Sequence, residues 1–150
     1  MRTFYIFKIK EEYSKLTKNI PDNLYHAFLK MKLSAPYNLE HIMHEYHSII
    51  MDLDREQLNN HFYQTLKASD GYMLYRYTHM YNDYYSGEIS KLILYRSFFI
   101  LKSNQLNSLF FSVLEQIPHL FVIDFENKDY FWLADTHHLR LVNERHFSYN

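Results

Sequence analysis

His41, His44, Glu45 and His47 form the densest set of metal-ligating side chains in this 150-residue chain, which holds ten histidines. Zinc needs three or four converging ligands, and an i, i+3 or i, i+4 pair on one helix face supplies two of them. The surrounding residues read as an amphipathic helix whose apolar stripe turns away from His41 and His44. Solvated histidines are therefore the simpler account, and a metal-dependent enzyme built around His41–His47 is the rival reading. The His-Glu-x-x-His pattern of metalloproteases is absent, because Tyr46 and His47 follow Glu45. His137 and His138 are sequence neighbours and diverge in extended chain.

Other routes to catalysis find less support. Cysteine is missing altogether, which removes thiol nucleophiles, thiolate ligands and disulfides. With only two glycines, Gly71 and Gly87, there is neither a Gly-x-Ser-x-Gly elbow nor a phosphate-cradling loop. Asp124 and Asp129 flank one turn and are the available carboxylate pair. Asp129 reads more simply as a turn residue, and Asp124 as a strand-end residue bonding backbone amides. No positive sign of an enzyme or of a required cofactor emerges.

Binding chemistry fits better. A hot spot needs one or two rings on a rigid element with polar groups around them as a rim. Tyr13, with Glu12, Lys15, Leu16 and Thr17 beside it, answers that description. Tyr13 packed against a sheet edge is an equally good reading of the same residues.

Sixteen Lys plus Arg against seventeen Asp plus Glu leave a net charge of −1, which argues against a direct nucleic-acid partner. A Tyr-rich sheet that stacks single-stranded bases is a further rival, and near-neutral charge counts against it. Fifteen Tyr, twelve Phe and one Trp make 19% of the chain; most such rings belong in a core or on a sheet. No run approaches the roughly twenty apolar residues of a membrane span, and Met1 to Lys10 lacks the build of a signal peptide. A cytoplasmic, single-domain protein over 1–150 is the expectation.

The elements that would position these residues follow from periodicity. Thr3–Ile9 reads as a strand buried on both faces. A short helix follows, acidic first and basic last, ending before Pro21, with Tyr13, Leu16 and Ile20 on one side and part of it exposed. Asp22 is placed to cap a second helix to about Lys32. Asn38 to Leu53 gives an amphipathic helix. Asp54 with Gln57, and Leu53 with Leu58, mark a further helix ending near Lys67. Residues 72–81, 89–95 and 98–101 read as three strands of an antiparallel meander. Ser103 or Asn104 caps a helix carrying Leu106, Leu109, Phe110, Val113, Leu114 and Ile117, which Pro118 stops. A hairpin, Leu120–Phe125 and Tyr130–Leu133, precedes a polar tail. The sum is an α+β fold: an antiparallel or mixed sheet of about five to six strands with helices on one side.

Two patches carry a family resemblance. Phe4-Tyr5-Ile6-Phe7-Lys8-Ile9-Lys10-Glu11-Glu12-Tyr13 opens the chain, and Phe110 to Leu133, with Asp124-Phe125 and Tyr130-Phe131-Trp132-Leu133, precedes Glu144-Arg145-His146-Phe147. In these the chain resembles the SirA family, sporulation inhibitors of DNA replication. The resemblance implies a small non-catalytic α/β protein, without cofactor, that binds the N-terminal domain of the replication initiator DnaA and occludes the surface used for assembly at the origin. It implies contact through the aromatic after the Glu-Glu pair, here Tyr13, and through positions that fall on Thr17 and His41. Thr17 stands where an aromatic is expected, and His41 also departs from the pattern. Tyr13, Leu16, Thr17 and His41 are therefore the expected partner-binding residues.

Overall fold

The computed structural model describes residues 1–34 and 48–134. An interior strand, β1 (Arg2–Lys8), is rich in aromatic and β-branched residues. Phe4 and Ile6 point to one face and Phe7 to the other, and all three are fully buried. Both edges of β1 are also occupied. It pairs antiparallel with β5 (Phe99–Ser103), Phe4 opposite Leu101, and with β6 (Leu120–Asp124), Ile6 opposite Val122. With β2 (Tyr72–Tyr75), β3 (Thr78–Asn82), β4 (Ile89–Leu94) and β7 (Asp129–Trp132) the sheet has seven strands in the order β2-β3-β4-β5-β1-β6-β7. Every neighbouring pair is antiparallel.

Four helices accompany the sheet: α1 (Glu11–Thr17), α2 (Pro21–Ser34), α3 (Arg55–Leu66) and α4 (Leu109–Leu114). They pack on both faces, not on one as the order of elements suggested. Phe62 and Leu66 of α3 join Phe110, Phe111 and Leu114 of α4 against Phe4, Ile6, Leu92 and Val122. Leu24, Tyr25, Phe28 and Met31 of α2 cover Phe7, Phe121 and Ile123 on the opposite side, with the rings of Phe7 and Phe28 stacked at 4.2 Å. Strands buried on both faces require this, since each apolar side must be hidden.

The seventh strand comes from a turn invisible in the sequence. Residues 72–81, expected as one strand, are the hairpin β2–β3, with Tyr75 opposite Thr78 across Arg76-Tyr77. Such a turn favours Asn-Gly or Asp-Gly, yet here Arg76 takes a left-handed φ of 55°. Tertiary contacts from α3 hold it. The Asn59 side-chain amide donates to the Arg76 carbonyl at 3.0 Å, the Tyr77 hydroxyl donates to Glu56, and the Arg55 guanidinium sits 3.8 Å from the Tyr77 ring centre.

Behind the turn lies fully buried His79, whose Nε2 is 2.8 Å from Asn59 Oδ1 and whose Nδ1 is 2.7 Å from the Tyr72 hydroxyl. A neutral ring satisfies both contacts, with Nε2–H donating to Asn59 and Nδ1 accepting from Tyr72. Burial lowers the His79 pKa to about 4 and raises that of Tyr72 to about 12.

Two helix starts also differ from expectation. Ser103 and Asn104 do not cap α4, because β5 continues through Ser103, whose hydroxyl accepts from the Gln105 N–H. Ser108 is the cap, accepting from the Phe110 N–H, so Leu106 lies outside the helix and exposed. The buried Glu88 carboxylate reinforces it, accepting from the Ser108 hydroxyl at 2.7 Å and the Leu109 N–H at 3.3 Å. Asp22 stands in the first turn of α2, after Pro21, and accepts from the Tyr130 hydroxyl at 2.8 Å. Asp54 does cap α3, accepting from the Gln57 N–H at 3.2 Å. The proposed helix over Asn38–Leu53 lies largely outside the described residues.

Among the described residues, the α2 side of the sheet is covered only in part. Its β2–β5 half carries two cross-strand rows. One runs Met73, Met80, Lys91, Lys102 to Thr3 on β1; the other runs Tyr75, Thr78, Ile93, Ile100 to Tyr5. Met73, Tyr75, Lys91 and Lys102 are exposed.

Two outcomes test this fold. Because the His79 pKa is depressed in the folded state relative to about 6.5 unfolded, its contribution is complete above pH 6.5 and is lost as pH falls toward 4. Urea unfolding midpoints measured from pH 7 to 4.5 should fall, and His79→Leu should flatten that fall while lowering stability at pH 7. Gly71 has φ +88°, and a Cβ there would lie 2.1 Å from the Asn82 carbonyl oxygen. Gly71→Ala should therefore cost about 2 kcal/mol or more in the same assay.

Candidate protein-docking surface

Lys8 pairs with Leu120 at the end of β1, and the chain turns there into α1. The Ile9 N–H donates to the His119 carbonyl at 2.9 Å and the Lys10 N–H to the Ile49 carbonyl at 2.8 Å, so the entry to the helix is fixed at the backbone. Acidic Glu11 and Glu12 occupy the first turn and Lys15 the last, which suits the helix dipole. Glu11 and Lys15 pair at 3.2 Å, an exposed contact of small worth.

Ser14 is the only buried residue of α1. Its hydroxyl lies 2.8 Å from Nδ1 of His119, which itself holds a left-handed φ of 61° between Pro118 and β6. One residue thus holds α1 by its ring and the segment leading into α1 by its carbonyl. No reading of the sequence singled it out; its place immediately after Pro118 at a strand entry was the available signal.

With Ser14 facing inward, the apolar positions of the helix face outward. Tyr13 is 36% exposed, Leu16 74% and Ile20, just beyond the helix, 50%. The Thr17 hydroxyl donates to the Tyr13 carbonyl and so turns back on the helix. Three of the four expected binding residues, Tyr13, Leu16 and Thr17, stand together on α1. His41 lies outside the described residues, as do His44, Glu45 and His47. Among the described residues no group of three or more His, Asp and Glu side chains is arranged to hold a metal.

On the inner flank of α1 a cavity of about 370 Å³ opens between the helix and the β6–β7 hairpin. Its walls are Ser14, Lys15, Lys18, Pro118, His119, Leu120, Trp132 and Ala134, mainly apolar with lysines at the mouth. Trp132 is buried, and its indole N–H has no hydrogen-bond partner among the described residues.

The carboxylate pair has a structural role. Arg2 donates through Nε to Asp124 at 2.7 Å and through its terminal nitrogen to Asp129 at 2.9 Å. Asp124 also accepts from the Asn127 backbone N–H at 3.2 Å and its side-chain amide at 2.7 Å. Desolvation opposes ionisation of Asp124, but the bonds from Asn127 and Arg2 outweigh it and hold its pKa below the usual carboxylate value.

A seven-stranded antiparallel sheet with helices on both faces, and a short helix presenting apolar residues at one end, define an α+β protein. No described helix is long and apolar enough to cross a membrane. The family model of SirA, the sporulation inhibitor of replication protein, matches residues 2–137, and the chain belongs to that family. Its description is that of a regulatory inhibitor of replication. A comparison with curated proteins returns no match.

The tether of α1 is open to test. Ser14→Ala keeps the burial and removes the hydroxyl, at a cost of about 1 kcal/mol. Amide exchange across 11–17 should quicken while that of β1 stays slow; equal protection in both proteins would show that the Ser14–His119 contact does not hold the helix.

Proposed function

We propose that this protein inhibits the initiation of chromosome replication by binding the N-terminal domain of DnaA through α1, in the cytoplasm and without a cofactor. The observation that carries this reading is the outward stripe of Tyr13, Leu16 and Ile20 on a helix tethered by Ser14, in a chain of the SirA family. Apolar side chains that no core requires, held on a fixed element and ringed by charge, match the anatomy of a binding hot spot. The cavity beside α1 adds a concave, mainly apolar socket in which a side chain of the initiator domain can seat.

The mechanism is occlusion. An interface of about 1,600 Å² in total covers a large share of one face of a small domain. Self-association and helicase-loading contacts made through that face are then excluded by sterics alone. Tyr13 supplies the ring, Leu16 the aliphatic contact and Thr17 the rim; the family resemblance adds His41, which lies outside the described residues.

Purified chain and the isolated DnaA N-terminal domain should co-elute on size exclusion. Tyr13→Ala should weaken the complex by about 2 kcal/mol, roughly thirtyfold in Kd. No complex at tens of micromolar, or one indifferent to Tyr13→Ala and Leu16→Glu together, would rule this surface out.

A further inference from the structure

The half of the α2-side sheet face that α2 leaves open has a composition unlike an ordinary solvated surface. Its cross-strand rows hold methionine, isoleucine and two lysines set directly opposite one another, Lys91 and Lys102, with no acidic residue in either row. Like charges facing each other across a pair of strands destabilise a sheet. Neither lysine has a carboxylate within ion-pair distance among the described residues. Apolar neighbours flank the pair: Met73 and Met80 toward the edge, Ile93 and Ile100 in the next row.

A third cation extends the feature. Where this half meets α2, a cavity of about 280 Å³ is walled by Thr3, Tyr5, Lys32, Lys102, Phe125 and Glu126. The Lys32 ammonium sits over two rings, 4.8 Å from the centre of Tyr5 and 4.5 Å from that of Phe125. Glu126 partly offsets Lys32 and lines the same cavity as Lys102, while among the described residues neither Lys91 nor Lys102 forms an ion pair.

We propose that this open half is a second docking surface, and that its occupant is an acidic amphipathic helix of a partner protein, laid beside α2 with carboxylates over Lys91 and Lys102. The dimensions agree. Strands β2 to β5 span about 14 Å at the usual strand spacing, and one helix is about 10 Å across. The row through Ile93 runs on into the cluster under α2, since Ile100 and Tyr5 pack against it. A helix placed here would complete on this half the covering that α2 provides on the other. The surface is separate from α1, so the proposal stands or falls independently of DnaA binding.

The test uses the intact chain and a labelled synthetic amphipathic helix of about four turns, built from Leu and Glu, followed by fluorescence anisotropy. Its twin replaces each Glu by Lys. The acidic peptide should bind saturably, and Lys91→Glu with Lys102→Glu should weaken it at least about tenfold. Both side chains are in solvent, so the variant should unfold like the parent. Lys67→Glu with Lys128→Glu makes the same charge change elsewhere and should leave affinity nearly unaltered. No saturation at about 100 µM, equal binding of the Lys twin, or equal weakening by the distant pair would overturn the proposal. Tighter binding of an oligothymidylate at this face would overturn it too, in favour of a nucleic-acid surface.

Discussion

The placement of β1 in the interior of the sheet, between β5 and β6, is the constraint from which the rest follows. A strand laid between two segments about a hundred residues further along the chain has neither a free edge nor a free face. Its residues must be apolar on both sides, and helices must then cover both sides of the sheet. The pairing of Lys8 with Leu120 also decides where the chain leaves the sheet, which is next to His119. That puts α1 at one end of the core, with room to bury a single serine. Its apolar residues face outward as a consequence of topology, and the same pairing that makes the fold cohere makes the stripe available.

Much of this was legible in the residues. The aromatic run at the start, the Asp54 and Gln57 spacing and the 120–133 hairpin each carry their own local signal, and each forms where that signal says. The exposure of α1 was also legible, in a stripe too thin to anchor a helix. What escaped has a common physical cause, the dominance of tertiary contacts over local preference. Arg76 makes a two-residue turn without turn chemistry because Asn59, Glu56 and Arg55 of α3 support it. The start of α4 moved to Ser108 because Ser103 was already committed to the β5 pairing and Glu88 waited, buried, at the later position. The double-sided covering was hidden because a list of elements carries no information about which face each one takes. His119 escaped because its partner, Ser14, is about a hundred residues away.

Seen as a whole, the molecule is a rigid sheet whose two ends of chemistry are kept apart. Several polar groups inside it are hydrogen-bonded to one another: His79 between Asn59 and Tyr72, Glu88 among hydroxyls and an amide, Arg2 between two aspartates. Buried groups so matched favour one packing over others and leave little chemistry to spare. Among the described residues, the apolar face of α1 and the lysine pair on the open half of the sheet lie outside that network. For a member of the SirA family, these exposed surfaces are the ones proposed above to meet partners.

The claim that α1 is the grip on the initiator is tested most directly by NMR mapping of this chain against unlabelled DnaA N-terminal domain. The account predicts that the largest amide perturbations fall on residues 11–20 and on His119 and Trp132 beside them, with the strands β2 to β5 undisturbed. Perturbations centred on the open sheet face or on α3, with α1 unchanged, would contradict it.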